Sequence, residues 1–432
     1  YPTSLLISGY DILFFWDARM IMMGLKLMDR AKIEERIPFH RLYLHSIVRD
    51  PHGMKMSKTR GNVVDPLELT EKHGTDALRF ALAVMAAPGT DIALSEDHIL
   101  GYRAFANKIW NAARFLFFNL EKVDSLGVTL EDLAAPDIRE EAPYDSGGEM
   151  ALVDRWIFSR IATVRDEISD ALENFRFHEA AHVIYHFFWG DFCDWYIEWV
   201  KPRLGITDRA AALAVWRNLF SVFESALRLL HPFMPFLTEE LWHKLPQRAG
   251  AKSIALEQFP AARPDWRNVE AEKQMAFLQE VIVAVRNLRA EIKVDPKRKI
   301  AAEFATGEST LRSLVEGNLD SVLNLAALSE LKITTGRLDS SGGLTRSAAQ
   351  YDLRLAHSEP VDTEAESARL RKEIERLVKD IDSKRSRLAD GAFRSRAPEQ
   401  VVRSLENTLA ERQAEHQKLE LRLKQIAPAN PN

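Results

Sequence analysis

The sequence has a single cysteine, no long apolar run and little net charge over its 432 residues. One cysteine, Cys193, excludes a disulfide framework and a thiolate zinc cluster, and it suits a reducing cytoplasm. Every apolar run is broken by charge before about 18 residues, so no membrane span is predicted. A formal net charge of −5 gives no global basic signal, and contact with nucleic acid would have to use local patches.

The composition that remains indicates a globular chain of two to four domains. Hydrophobic residues make up 46% and charged residues 28% of a chain too long for one core. The sequence begins at Tyr1 in apolar, structured-looking residues with no signal-peptide pattern. We therefore expect an N-terminal portion to precede Tyr1.

The first segment, residues 1–95, has an α/β pattern. A short apolar run at 4–8 predicts a buried strand ahead of Gly9, and a helix is predicted over 11–28. A second strand is predicted over 42–48, followed by a turn. Asp65-Pro66 is typical of a helix start, with Asp as N-cap and Pro at the first helical position.

The remaining segments are mainly helical. Residues 96–260 are predicted to form a helical domain, and 261–350 to form a small α+β unit that includes a helix over about 271–292. Residues 362–427 carry two heptad seams around a loop at 389–398, which predicts an antiparallel coiled-coil hairpin. Polar residues stand at three seam positions: Lys384, Arg412 and His416.

The pattern most suggestive of chemistry is KMSKT at 55–59, just after the predicted turn. Lys55, Ser57 and Lys58 offer two ammonium groups and a hydroxyl, which suits a triphosphate whose charge moves onto leaving pyrophosphate. A solvated basic turn is the plainer interpretation of such a short pattern.

Several sequence blocks in a fixed order favour the triphosphate-binding interpretation over the solvated basic turn. They are GYDILFFWDARMIMMG (9–24), KMSKT with GNVVDP (61–66) and HGTDALRFALA (73–83), LVDRW (152–156), ALENFRFHEAAHVIYHFFWGDFCDWYIEWVKPRL (171–204), LLHPFMPFLTEELW (229–242) and GAFRSRAPEQVV (391–402). Together they resemble the class I aminoacyl-tRNA synthetases of the valine type over nearly the whole chain. The family form of the loop is Lys-Met-Ser-Lys-Ser, and Thr59 keeps its final hydroxyl.

The resemblance implies a mainly α fold with a partial Rossmann catalytic domain, a helical anticodon-binding bundle, the α+β unit and a tRNA-binding arm. The implied reaction is ATP-dependent attachment of valine to tRNA(Val) through a valyl-adenylate, with Mg²⁺ accompanying ATP. A cytoplasmic monomer is expected. The His-Ile-Gly-His motif of the class and any editing-domain pattern are absent, so the chain alone is expected to bind tRNA without a complete active site.

Residue roles follow from the resemblance. Lys55, Ser57 and Lys58 would stabilise the transition state, and Lys58 would also contact the ATP phosphates. The adenylate would be held by Gly9, Asp11 and His45, although the family glycine after this His is Ser46 here. Trp16 would wall the amino-acid pocket. A helix N-cap is the plainer role for Asp11, and a core aromatic for Trp16.

Two further features concern RNA and metals. Six basic residues face two acidic ones between 384 and 403, which predicts tRNA contact by the arm tip through Arg387, Arg394 and Arg396. A solvated coiled-coil end is the alternative. The aromatic run at 185–199 predicts core packing more than base stacking, and His182, His186 and Cys193 lack metal-ligand spacing, so no metal site is predicted.

Two alternatives to a valine-type enzyme stay open. The chain could be a non-catalytic tRNA-binding module, but such a module has no chemical need for Lys55, Ser57 and Lys58. It could also belong to an isoleucine-type enzyme. The Phe14-Phe15-Trp16 run and the terminal hairpin favour the valine type.

Overall fold

The protein is described by a computed structural model of the 432 residues. It describes residues 1–124, 126–133, 143–144, 150–246, 250–338, 343–356, 363–390, 393 and 399–426. Two compact units divide the chain, Tyr1–Glu272 and Lys273–Asn432. None of the described helices is long and apolar enough to cross a membrane.

The N-terminal part of the first unit contains two small parallel sheets. The strands are β1 (Thr3–Gly9), β2 (Phe39–His45), β3 (Val48–Arg49) and β4 (Ile92–Ala93), with β1 paired to β2 and β3 to β4. The single strand predicted over 42–48 is therefore wrong. The chain leaves the first sheet after His45, and Ile47 already accepts a backbone hydrogen bond from Ile92 of the second sheet (2.9 Å).

The helix predicted over 11–28 has three consecutive forms. A 3₁₀ turn spans Tyr10–Ile12, a π turn spans Leu13–Asp17, and helix α1 spans Ala18–Leu27. The apolar pattern indicated a helix but not the change in its winding. Phe14, at 81% exposure, is the most exposed of the apolar side chains here.

Two short helices follow the KMSKT loop. Helix α2 (Pro66–His73) begins as predicted, since the Asp65 carboxylate accepts a hydrogen bond from the Leu67 amide (2.8 Å). Helix α3 is Thr75–Met85. Gly74 joins them with φ near +91°, a conformation that glycine adopts without the strain a side chain would bring.

The rest of the first unit is helical. Its helices are α4 (Glu96–Asp124), α5 (Leu130–Leu133), α6 (Leu152–Glu173), α7 (Phe177–His186), α8 (Ile197–Val200), α9 (Arg209–Leu230) and α10 (Pro235–Trp242). The aromatic run between α7 and α8 is a π-helix, Phe187–Tyr196.

A straight buried stripe runs from α7 through this π segment into α8. Six side chains spaced four apart are fully buried: Ala180, Ile184, Phe188, Phe192, Tyr196 and Val200. In an α-helix each four-residue step overshoots one turn by about 40°, so the stripe would rotate out of the core. The wider i→i+5 turns counteract that drift. Core packing, predicted for the run at 185–199, is confirmed for Phe188, Phe192 and Tyr196.

The second unit begins in helix α11 (Val269–Glu291), close to the predicted 271–292. Its sheet has the order β6-β5-β8-β7, from β5 (Ile300–Ala305), β6 (Leu328–Thr334), β7 (Gly343–Ser347) and β8 (Asp352–Ala356). Helices α12 (Ser309–Gly317) and α13 (Leu319–Leu325) connect the parallel pair β5 and β6. Phe304 and Tyr351 stack with ring centroids 5.5 Å apart. The predicted α+β character is confirmed.

The predicted hairpin consists of α14 (Thr363–Ala389) and α15 (Glu399–Ile426). Leu370, Leu377 and Leu419 are buried between the helices. Two of the polar seam residues converge on one carboxylate, since Asp380 binds Lys384 (2.5 Å) and lies 3.7 Å from Arg412 of the facing helix. An ion pair thus replaces apolar packing at that level of the seam.

Candidate functional site

Three residues assigned to the adenylate lie together at one sheet end. Gly9 and His45 end the parallel strands β1 and β2 and are direct partners in the register. A Cβ built on Gly9 would lie 2.8 Å from Asp11 Oδ1 and 3.7 Å from His45 Nε2. A side chain at Gly9 would therefore fill a small polar cradle between Asp11 and His45. Such a cradle fits close approach by a ribose or base.

The cradle is braced against the second sheet. The Tyr10 hydroxyl donates to Asp91 Oδ2 (3.3 Å), and Arg49 forms an ion pair with the same carboxylate. The hydrogen bond from Arg49 holds the pKa of Asp91 below its usual range. At neutral pH this charged link ties the turn after β1 to the strand leading into the KMSKT loop.

The KMSKT loop is held by a latch formed by Asp50 and Asn62. Asp50 Oδ1 accepts hydrogen bonds from the backbone amides of His52 (3.0 Å) and Met54 (2.8 Å), and Asp50 Oδ2 accepts one from Asn62 Nδ2 (2.9 Å). The Asn62 bond, with these amides, lowers the pKa of Asp50.

Asn62 then binds the loop backbone directly. Its Oδ1 accepts from the Ser57 amide (2.9 Å), and its Nδ2 lies 3.3 Å from the Lys55 carbonyl. Sequence reasoning missed the latch, although Asp50 and Asn62 stood inside the turn and the GNVVDP block that it quoted. An Asp and an Asn bracketing a short loop were the available signal.

The three candidate catalytic residues share this loop. Lys55 and Lys58 are exposed, and Lys58 opens the 3₁₀ turn Lys58–Arg60. Ser57 Oγ lies 2.7 Å from Thr59 Oγ1. The hydroxyl of Thr59 thus contacts Ser57, as a serine hydroxyl at that position could. The loop presents two ammonium groups on an ordered backbone, which suits a polyphosphate.

Trp16 stands apart from the cradle and the loop. Its side chain is 62% exposed within the π turn, and its ring centroid lies 5.9 Å from the guanidinium carbon of Arg19. The Trp16 indole is therefore exposed and not packed into a core of this chain.

Helix α4 presents a polar and aromatic stripe that sequence reasoning did not identify. Its exposed residues at spacings of three and four are Asn107, Trp110, Asn111, Arg114 and Phe118. Phe118 is 77% exposed. Aromatic faces beside amide and guanidinium groups suit stacking and hydrogen bonding to unpaired bases. The helical spacing of these residues was the available signal.

The predicted arm tip is only partly described. Arg387 is exposed, and its guanidinium carbon lies 4.7 Å from the ring centroid of Phe393, which fixes the cation beside the tip. Arg394 and Arg396 lie outside the described residues. Their proposed contacts remain predictions.

His182, His186 and Cys193 lie in or beside the π segment, where burial shifts the pKa of His182 and of Cys193. His182 and His186 stack with ring centroids 6.2 Å apart, and burial lowers the pKa of His182. Burial raises the pKa of the Cys193 thiol to about 12, so the thiol is protonated at neutral pH. Within the described ranges no three His, Cys, Asp or Glu side chains are grouped to hold a metal ion.

Three family models match the chain. Residues 1–95 match the class I tRNA synthetases for Ile, Leu, Met and Val, 154–304 match the anticodon-binding domain of tRNA ligases, and 362–427 match the valyl-tRNA synthetase tRNA-binding arm. Among solved structures, a methionyl-tRNA synthetase from Mycobacterium tuberculosis is 22% identical, with a TM-score of 0.45 over 59% of this chain and 46% of that one.

Curated relatives match over almost all of this chain. The valine–tRNA ligase of Solibacter usitatus is 42% identical over 97% of the chain, and that of Geobacter sulfurreducens is 41% identical over 95%. The Thermotoga maritima enzyme is 40% identical over 95%. The chain spans 44%, 44% and 43% of these relatives' own lengths, respectively. By these matches the chain belongs to the valine-type class I aminoacyl-tRNA synthetases.

Proposed function

We propose that this chain supplies the KMSKT half of the ATP site and the tRNA-binding parts of a valine–tRNA ligase. The observation that carries the proposal is the latched loop, which presents Lys55 and Lys58 on a backbone fixed by Asp50 and Asn62. A module that bound only RNA would have no chemical use for that order.

The loop acts as a charge-compensating clamp. The valine carboxylate attacks the α-phosphate of ATP, and negative charge moves to the leaving pyrophosphate. Lys58 and Lys55 meet that charge, and the Ser57 hydroxyl donates a hydrogen bond to it. Preorganised donors of this kind lower the barrier because they need no reorganisation during the reaction.

The cradle positions the nucleoside. Asp11 accepts hydrogen bonds from ribose hydroxyls, while Gly9 lets the backbone approach and His45 lies beside the base. Trp16 lines the amino-acid pocket. Mg²⁺ would enter with ATP and would supply further charge compensation at its phosphates. The enzyme needs no covalent nucleophile, since holding the reactants in line converts a bimolecular step into a unimolecular one.

Two surfaces serve the tRNA. The α4 stripe (Asn107, Trp110, Asn111, Arg114 and Phe118) contacts unpaired bases, and the arm tip at Arg387, Arg394 and Arg396 contacts the phosphate backbone of the tRNA body. The domain assignment that goes with this function is a catalytic half at 1–95, an anticodon-binding domain at 96–260, an α+β extension at 261–350 and the arm at 362–427. The protein acts as a cytoplasmic monomer.

The test compares the chain alone with the chain joined to an upstream half taken from a valine enzyme. The chain alone should bind tRNA(Val) and show no valine-dependent exchange of pyrophosphate into ATP. The joined protein should show exchange with valine above isoleucine. Exchange by the chain alone would refute the half-site assignment. Preference for isoleucine in the joined protein would favour the isoleucine-type alternative, and tRNA binding without any exchange would favour the non-catalytic module.

A further inference from the structure

Helix α3 contacts the corner between α9 and α10 through two charged side chains, Asp76 and Arg79. The carboxylate of Asp76 caps the N-terminus of α10, since Oδ2 accepts from the Leu237 amide (2.6 Å) and Oδ1 from the Phe236 amide (3.3 Å). Asp76 is only 8% exposed, and burial raises its pKa against the opposing effect of these amides. An anion at a helix N-terminus stabilises the orphan amides there.

One turn further along α3, Arg79 grips the other side of the same corner. Its Nη2 donates to the Pro232 carbonyl (3.1 Å) and its Nε lies 3.3 Å from the Phe233 carbonyl. These carbonyls follow the end of α9. The Arg79 cation thus faces the backbone carbonyls that follow α9, and the Asp76 anion faces the first amides of α10. We name Asp76 and Arg79 the corner clamp.

The corner clamp lies a short way along the chain from the KMSKT loop. Asn62 holds the loop backbone, Asp65 caps α2, and Gly74 joins α2 to α3. The partners of the clamp, 232–237, belong to the helical part that carries the α4 stripe, and α3 also packs on α4 through Phe80 and Phe105, whose ring centroids lie 5.3 Å apart.

We propose that Asp76 and Arg79 are positioning residues that couple occupancy of the helical part by tRNA to the conformation of the KMSKT loop. The coupling to RNA rests on the proposed function. The clamp fixes the α2–α3 segment on the helical part, so a shift of the α9–α10 corner changes the latch. The α2–α3 segment is the shared element through which the two sites act on each other.

The first experiment needs no RNA. Amide hydrogen exchange is followed at Met54 and Ser57, whose amides are bonded to latch side chains, in the 432-residue chain and its Arg79→Gln variant. Loss of the two carbonyl contacts should speed exchange at both amides by about 10-fold or more, with α6 and α9 unchanged. Unchanged exchange at Met54 and Ser57 would overturn the proposal.

The second experiment adds a tRNA(Val) transcript. In the unaltered chain, bound tRNA should slow exchange at Met54 and Ser57 severalfold. In Arg79→Gln, tRNA affinity should stay within about threefold while this slowing disappears, because a cut coupling leaves both sites intact. Loop exchange indifferent to bound tRNA in the unaltered chain would overturn the coupling. If tRNA did not bind at all, the proposed function and the coupling to RNA would both fall, while the RNA-free experiment would still decide whether the clamp orders the loop.

Matched variants separate coupling from simple loss of stability. Arg165→Gln removes an arginine that likewise donates to a backbone carbonyl, that of Pro260 (2.7 Å), away from α3. It should leave loop exchange and its response to tRNA unchanged. Arg79→Lys, which keeps a donor, should restore part of the response. If Arg165→Gln disturbed the loop as much as Arg79→Gln did, the effect would be general loosening and the positioning role would be refuted.

Discussion

Removing the latch amide should release the KMSKT loop without unfolding the protein. Asn62→Ala deletes three hydrogen bonds, since Oδ1 accepts from the Ser57 amide and Nδ2 donates to the Lys55 carbonyl and to Asp50 Oδ2. At about 1 kcal/mol net for each bond, the ordered loop loses about 3 kcal/mol. Since each 1.4 kcal/mol is tenfold, the open fraction of the loop should rise on the order of 100-fold.

The assay is hydrogen exchange at the Ser57 amide, which reports the open fraction when reclosing is fast. Asn287→Ala makes the same chemical change on the exposed face of α11 and should leave Ser57 exchange unaltered. The midpoint of urea unfolding should stay within error for both variants, because Asn62 lies in a surface loop. A Ser57 amide that exchanges at the unaltered rate in Asn62→Ala would show that the loop is ordered by other contacts, and the latch would be wrong.

Three further predictions concern the catalytic loop, the arm and the core. In the enzyme joined to an upstream half, Lys58→Ala should lower valine-dependent pyrophosphate exchange by about 10² to 10³, as when one preorganised donor is lost, and an unchanged rate would remove Lys58 from the chemistry. Deleting 362–427 should weaken tRNA binding and leave valine activation nearly intact. Neutralising Arg394 and Arg396 together should reduce the slope of log affinity against log salt concentration by about one to two units. Unaltered slopes would make the arm a structural element. The Asp154 carboxylate is 1% exposed and accepts hydrogen bonds from Tyr196 (2.8 Å) and Arg203 (2.8 Å). Asp154→Ala should therefore lower the free energy of unfolding, measured by urea titration, by about 3 kcal/mol. A loss below about 1 kcal/mol would contradict the role of Asp154 as a buried, paired charge.

Local signals predicted the elements that depend on short-range rules. The Asp65 cap, the helix near 271–292 and the paired helices of the arm all follow from residues a few positions apart, and the structure has them. Heptad spacing even located the polar seam positions. It could not place Arg412 beside Asp380, because that approach depends on how the two helices align, whereas Lys384 and Asp380 are four residues apart on one helix.

Features that depend on tertiary contacts could not be predicted from the sequence. The run at 42–48 has strand composition throughout, yet the chain changes sheets after His45 because the Ile47 carbonyl accepts a hydrogen bond from the amide of Ile92, far along the sequence. The cradle could be anticipated only through resemblance, since parallel pairing alone makes Gly9 and His45 neighbours. The latch and the corner clamp use ordinary Asp, Asn and Arg residues whose roles appear only with their partners.

The number of residues in the π segment also determines how the helices on either side of it are rotated relative to each other. Because Phe187–Tyr196 joins α7 to α8 continuously, its wide turns set the rotational phase between the two flanks. Deleting one residue there would rotate everything after the deletion about the helix axis relative to what precedes it, by somewhat less than the α-helical value of about 100° because π turns are wider. Tyr196 and Val200 would then leave the line of Ala180 and Ile184, whereas exchanging one large apolar side chain for another would keep it. Selection on this stretch should therefore tolerate substitution more readily than insertion or deletion.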